Sequence, residues 1–263
     1  MTAARVRIGV GLDGCRGGWV VALLRRGAEA PCTPELHVIT RIEALDGLLA
    51  ERRVRPPRCL IDIPVGLVAA GRRSVDDAAR QAIGTKASSV FTVPPRAVFD
   101  ALDFDEANRL ARATMGQGLS VQAWNIMPKI REVDLYLRRR APAPALLVES
   151  HPELAFARLA ALAAEAGIAA AAPGLPGKKS RAGFEARLDL LAAWGVDART
   201  AVASPPAHPE GRIARDDLLD AVALALVATL PDAQLAVLGT AEETDPLGLP
   251  LQMLVPREVR SGG

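Results

Sequence analysis

Three observations predict an α/β fold built on a mixed sheet. Val6, Ile8, Val10 and Leu12 alternate with Arg5, Arg7, Gly9, Gly11 and Asp13, and a second apolar run follows from Trp19 to Leu24, the pattern of an antiparallel hairpin. Cys59-Leu60-Ile61-Asp62-Ile63 and Ala145-Leu146-Leu147-Val148-Glu149 are almost continuously apolar, which suits parallel strands covered on both faces. Around these runs, apolar residues recur at the three- and four-residue spacing of helices. The chain has 263 residues, 50% of them hydrophobic and 24% charged, so it can bury a sizeable core. One domain over 1–263 is expected, with a helical insertion at about 66–140 and a C-terminal tail at about 245–263.

Element by element, Asp13 is expected to end the first strand, with Gly14-Cys15-Arg16-Gly17-Gly18 as the turn. Glu35 to Thr40 reads as a third strand, and Ile42, Leu45, Leu48 and Leu49 mark a helix closed by the Arg- and Pro-rich stretch from Arg52 to Pro57. The Cys59 strand stops at Pro64. The region from Gly66 to Arg140 is helical in pattern and is expected to break at Pro94-Pro95 and at Pro128. Glu149 and Pro152 repeat the ending of the Asp62 strand, an acid followed by proline. Helices follow at Glu153 to Ala166, at Ser180 to Trp194, and from Asp216 to just before Pro231. Leu251 to Val255 reads as an edge strand ahead of the Ser-Gly-Gly end.

Composition excludes several function classes. Lys plus Arg number 32 against 30 for Asp plus Glu, so the net charge of +2 does not announce a nucleic-acid binder, and any basic patch must be local. Aromatics are 3% of the chain, too few for a platform that stacks successive bases. Cys15, Cys32 and Cys59 are odd in number and widely spaced, which fits neither a disulfide framework nor paired zinc ligands, and points to a reducing, cytoplasmic setting. His37, His151 and His208 are scattered, so any metal ligands are carboxylates. No apolar segment reaches the ~20 residues that span a bilayer, and no membrane partner is expected.

The chemistry-bearing residues are acids. Asp217 and Asp220 lie three apart at the start of the last helix and share a face. Asp216 and Asp217 suit a helix N-terminus, where acids favour the dipole, but Asp220 is one turn in, and the helix beyond it is apolar all round. A carboxylate buried there needs a basic partner or a metal. Asp13, Asp62 and Glu149 each stand at the predicted carboxyl end of a strand, the edge where open α/β sheets bind ligands. Gathered together, these acids would need raised pKa values or bound cations. Mg²⁺ or Mn²⁺ in a two-ion site would satisfy them and points to phosphoryl chemistry.

Six motifs occur in register. They are Gly11-Leu12-Asp13-Gly14-Cys15-Arg16-Gly17-Gly18-Trp19, Ile61-Asp62-Ile63-Pro64-Val65-Gly66-Leu67, Lys129-Ile130-Arg131-Glu132-Val133-Asp134, Glu149-Ser150-His151-Pro152-Glu153, Lys178-Lys179-Ser180 and Asp216-Asp217-Leu218-Leu219-Asp220-Ala221. Over about Ile8 to Thr229 the chain resembles domain-of-unknown-function family 429. The resemblance implies a ribonuclease H-like mixed sheet of five strands in the order 3-2-1-4-5 with flanking helices, and a nuclease activity. Holliday-junction resolvases share that fold and draw their acids from the first strand, the fourth strand and the last helix. By that pattern Asp13, Asp62, Asp217 and Asp220 would be the metal-binding set. Glu149 departs from the four-acid pattern: it is either an extra ligand or part of a substrate-facing group with His151.

Substrate-binding candidates are Lys129, Arg131, His151, Lys178 and Lys179. Lys129 and Arg131 could hold a scissile phosphate, or simply form the solvated face of an amphipathic helix whose Ile130, Val133 and Leu137 point inward. Lys178 and Lys179 directly precede the Ser180 helix start, a geometry suited to anions, and His151 could shuttle a proton or bond a turn. The leading expectation is therefore a divalent-metal-dependent nuclease with a nucleic-acid partner. A nucleotide phosphotransferase or ATPase of the actin-like superfamily is the alternative, and it would need a second domain that a homodimer could supply. A catalytically silent interaction protein is the third.

Overall fold

A computed structural model describes residues 6–27, 31–56, 58–140, 147–168, 174–208, 210–211, 213–240 and 242–259. Among them the chain forms β1 (Arg7–Cys15), β2 (Gly18–Arg26), β3 (Glu35–Ile39), α1 (Ala44–Glu51), β4 (Cys59–Ile61), α2 (Ser74–Ile83), α3 (Phe104–Met115), α4 (Val121–Arg138), β5 (Leu147–Glu149), α5 (Pro152–Glu165), α6 (Arg181–Ala193), α7 (Ala198–Ala203), α8 (Arg215–Ala228), β6 (Leu235–Leu238) and β7 (Met253–Pro256). The fold is mixed α/β, with strands ordered β3-β2-β1-β4-β5-β7-β6.

The strand count corrects the expected five to seven. The short run Leu235–Leu238 is a strand although none of its residues is fully buried, so it lacks the apolar continuity that marks the others. The segment expected at an edge, β7, lies between β5 and β6; nearness to a chain end says nothing about position in a sheet. Asp13 does not end its strand: β1 runs on to Cys15, Asp13 sits opposite Val20, and a two-residue turn at Arg16-Gly17 joins β1 to β2. Nor does Pro128 break its helix, since α4 passes through it. Proline removes one backbone donor, but Pro128 is exposed, and Met127, Ile130, Val133 and Leu137 are buried on the other side. The start of the Ala145 run and the Ser-Gly-Gly end lie outside the described residues.

By contact the chain divides into two compact units. The first comprises Met1–Asp62, Ser150–Ala236 and Leu254–Gly263; the second comprises Ile63–Glu149 and Val237–Met253. In the first, β1 pairs with β2 antiparallel and with β4 in parallel, and β2 pairs with β3 antiparallel. Every residue of α8 from Leu218 to Ala228 is buried, and α8 lies directly on β1. Gly9 and Gly11 share one face of β1, being two apart. A Cβ on Gly9 would fall 2.0 Å from the Ala225 carbonyl oxygen, and one on Gly11 would fall 2.1 Å from that of Ala221. These two glycines thus set how closely the helix approaches the strand. Gly11→Ala is expected to destabilise the protein by about 1–3 kcal/mol or more, the usual cost of overpacking a core. Urea denaturation checks this; an unchanged midpoint would mean that α8 can move aside freely.

In the second unit, α2, α3 and α4 supply most of the helical content, and buried ion pairs tie its segments together. Arg73, fully buried, bonds Glu149 and lies 3.5 Å from Asp76. Arg96 grips Asp134 at 2.7 and 2.9 Å and Asp245 at 2.6 Å, while Asp245 also accepts the Leu67 N–H at 3.1 Å. No helix among the described residues is long and apolar enough to cross a membrane.

Candidate active site: a buried carboxylate cluster

Local geometry brings four of the predicted acids to one place in the first unit. In the parallel pairing of β1 with β4, Leu12 stands level with Ile61, and the Asp62 N–H donates to the Leu12 carbonyl at 3.0 Å. Asp13 and Asp62 therefore leave adjacent strands side by side. Asp13 also lies on the Gly9-Gly11 face of β1, which carries α8. On that helix Asp217 is one turn before Ala221, and Asp220 immediately precedes it, so both acids lie beside the end of β1 that carries Asp13. Asp13 and Asp220 are buried, and Asp62 and Asp217 are half-buried.

The four carboxylates act on one another. Burial pushes Asp13 well above the usual carboxylate range, and the charges of Asp62, Asp220 and Asp217 push it further. Burial raises Asp62 to about 7, with Lys178 pulling down and Glu153 adding to the rise. Asp217 and Asp220 are each raised to about 6, again chiefly by burial. One cation counters them: Lys178 Nζ donates to Asp220 Oδ2 at 2.6 Å. Burial alone would lower the Lys178 pKa, but Asp220, Asp13 and Asp62 outweigh it and hold the ammonium well above its ordinary value.

Lys178 is held in place by the loop that carries it. The Gly177 carbonyl accepts both the Ser180 N–H at 3.0 Å and the Ser180 hydroxyl at 2.8 Å, while Ser180 caps α6 by accepting the Gly183 N–H at 3.0 Å. Behind the loop, the buried Arg187 donates to the Pro176 carbonyl at 2.9 Å, to the Gly183 carbonyl at 3.0 Å and to Glu153 at 2.7 Å. Sequence reasoning does not reach Arg187 and Glu153 as site residues, although a signal exists. Arg187 lies on the stripe Gly183, Arg187, Leu190 and Leu191 that α6 buries, and a charge on a buried stripe must have a partner.

The other candidates fall elsewhere. His151 is the N-cap residue of α5, in the first unit. Lys179 is exposed directly before α6. Glu149 belongs to the second unit, where it accepts from Arg73 and, at 2.8 Å, from the Val65 N–H. Burial raises it to about 7 against the pull of Arg73. Lys129 and Arg131 lie on α4 of the second unit, and Arg131 donates to the Phe99 carbonyl at 3.0 Å.

The Asp13 cluster offers hard carboxylate oxygens, the donors preferred by Mg²⁺ and Mn²⁺. Four acids facing one close ammonium carry excess negative charge in a buried place. As arranged, no three acids, histidines or cysteines among the described residues are already gathered to hold a metal ion, and one oxygen of Asp220 is taken by Lys178. The donor chemistry fits a divalent cation, and the side chains would have to close around it.

A family model describing a protein of unknown function, DUF429, matches residues 11–243. The chain belongs to the DUF429 family. No curated protein and no solved structure matches it. The matched region takes in Asp13, Asp62, Lys178, Asp217 and Asp220, so every charged group of the cluster lies within the DUF429 region.

Proposed function

We propose that this DUF429 protein is a divalent-metal-dependent nuclease of ribonuclease H-like fold, acting on a nucleic-acid phosphodiester through Asp13, Asp62, Asp217 and Asp220. The observation that carries the reading is the convergence of these acids from a strand pair and one helix onto a single buried spot with one ammonium beside it. The order β3-β2-β1-β4, with β2 antiparallel and β4 parallel to β1, supports the fold.

Asp13 is central because it feels all three other carboxylates, so it would join them in holding a bound cation. Mg²⁺ or Mn²⁺ bound there would supply water activation and charge neutralisation at the leaving oxygen. Lys178 keeps Asp220 oriented and lends positive charge to an otherwise anionic pocket that a phosphate has to approach.

The test is cleavage of branched DNA, single-stranded DNA and an RNA–DNA hybrid with Mg²⁺ or Mn²⁺. Asp13→Asn is expected to lower the rate by more than the roughly 10–100-fold that disturbing a metal's supporting shell costs. Equal rates in both proteins, or none in either on any substrate, would remove the nuclease reading. The Lys178–Asp220 bond favours one second reading, a catalytically silent interaction protein in which the lysine stands permanently for the cation. Calorimetric titration with Mn²⁺ separates the two: the silent protein takes up no ion at the cluster.

A further inference from the structure

We propose that a cavity beside the carboxylate cluster is a phosphate-binding subsite, built to hold a phosphate of a nucleic-acid strand next to the reacting bond. This rests on the nuclease reading for its biological role, but not for its chemistry. The cavity has a volume of about 650 Å³ and is lined by Lys178, Lys179, Arg181, Phe184 and Arg215, with Ser180, Glu185 and Asp216 completing it. All of these residues belong to the first unit. The volume lies within the range of small-ligand pockets and accommodates a nucleotide.

Four cations face two acids here, in a chain whose overall charge is only +2. Glu185 is already bonded to Arg199 at 2.7 Å. Among the described residues, Lys179, Arg181 and Arg215 make no close ion pair with a carboxylate; Arg181 and Arg215 act on Glu185 only from further off, after Arg199, which leaves their N–H groups open to a ligand. Lys179, Arg181 and Arg215 are exposed, whereas Lys178 is half-buried with its ammonium on Asp220. The Arg215 guanidinium lies 4.3 Å from the centre of the Phe184 ring. Stacking fixes its plane, leaving the N–H edge to form paired bonds with phosphate oxygens.

The placement links the subsite to the chemistry through two junctions. Lys178 lines the cavity and touches Asp220. Arg215 and Asp216 open α8, on which Asp217 follows at once. A strand whose phosphate sits against Arg181 and Arg215 would thus run past the carboxylates. The phosphate is either a terminal monoester or an internal diester. Both offer the same oxygens, and the end groups of the probe distinguish them.

The experiment is fluorescence anisotropy in EDTA, where no cleavage occurs, with three labelled single-stranded DNAs of one sequence carrying a 5′-phosphate, a 3′-phosphate or only hydroxyl ends. The Arg181→Ala/Arg215→Ala double variant is expected to bind at least tenfold more weakly than wild type and to lower the salt-dependence slope by about 1.4, roughly 0.7 for each single-strand phosphate that an arginine no longer neutralises. If one end-phosphorylated DNA binds at least fivefold tighter than the hydroxyl form, and only in wild type, the ligand is a terminal phosphate. An equal loss on all three probes makes it an internal one. Wild-type binding unchanged in the double variant, or no wild-type binding to any probe, overturns the proposal. Thermal melting confirms folding, and Arg181→Lys/Arg215→Lys, which keeps both charges, is expected to retain the salt slope. Failure of the nuclease reading is separately visible: cleavage would be absent while the binding differences persist. Failure of the subsite alone would leave cleavage intact and the binding of the double variant equal to that of wild type.

Discussion

Replacing Arg73 with methionine is expected to cost about 3–5 kcal/mol at pH 8, the penalty for removing one partner from a buried ion pair. Arg73 is fully buried, bonds Glu149, and lies 3.5 Å from Asp76. Without it two buried carboxylates lose their cation. Each keeps a backbone donor, Val65 N–H on Glu149 at 2.8 Å and Val93 N–H on Asp76 at 3.2 Å, which moderates the loss without cancelling it. Burial already raises both acids, Glu149 to about 7, and loss of the guanidinium raises them further. Carboxylates whose folded pKa exceeds the unfolded value favour the folded state below the unfolded pKa and lose that contribution as pH rises through the folded one. The penalty should therefore shrink as pH falls from 8 to 5.5. Urea denaturation of both proteins at the two pH values measures it. A penalty that is small, or larger at pH 5.5, would show that the pair does not hold the second unit together. Adding Glu149→Gln to Arg73→Met should recover part of the loss at pH 8.

Asp13→Asn is expected to stabilise the metal-free protein near neutral pH while suppressing cleavage. Asp62, at about 7, and Asp217 and Asp220, each at about 6, are raised above ordinary carboxylates chiefly by burial, as is Asp13, and neighbouring carboxylates add to the rise of each. Their folded values exceed the unfolded ones, so the contribution they make is present below about pH 4 and is lost as pH rises through 6 and 7. Metal-free wild type should accordingly melt at a higher temperature at pH 5.5 than at pH 7.5. Asp13→Asn removes a carboxyl whose folded pKa lies well above its unfolded value, and with it a cost to folding that grows as pH rises. At pH 7.5 the melting temperature should rise by about 2–4 °C for each kcal/mol of that cost removed, as for other domains of this size, and the difference between pH 5.5 and 7.5 should narrow. Saturating Mn²⁺ should reverse the order, stabilising wild type more than the variant. A variant that melts below wild type at pH 7.5 without metal would mean that the acids are not in mutual repulsion.

The two effects distinguish two uses of buried charge. Arg73 and Glu149 neutralise one another within the second unit, and removing either group exposes the desolvation cost of the other. The Asp13 cluster is left anionic by its own neighbours, with Lys178 countering only part of the charge. A cluster so arranged lowers stability near neutral pH, which is what makes it a candidate functional site.

Much of this is legible in the residues themselves. Alternation from Val6 to Leu12 and the continuous runs at Cys59 and Leu147 predict the strands, because burial on one face or on both leaves different periods. The start of α8 at Asp216-Asp217, and the burial that makes Asp220 costly, also follow from local pattern. What pattern does not supply is the partner of each charge. Glu149 and Asp62 end their strands with the same grammar, yet Asp62 faces Asp13 across a parallel register, while Glu149 accepts from Arg73, far away in sequence. Lys178 reads as an anion-binding candidate before the Ser180 helix start, and its partner, Asp220, emerges only when Arg187 and Gly177 are seen to fix its loop there.

By itself the sequence determined the α/β class, the hairpin, the helix that carries Asp217 and Asp220, and the small residues at 9 and 11 of the first strand, since these depend on local periodicity and on side-chain size. Only the tertiary structure decided the seventh strand, the seating of α8 on Gly9 and Gly11, the pairing of Lys178 with Asp220 and the gathering of Arg181 and Arg215 around one cavity. Charges choose partners by distance in space, and that distance is set when distant segments pack.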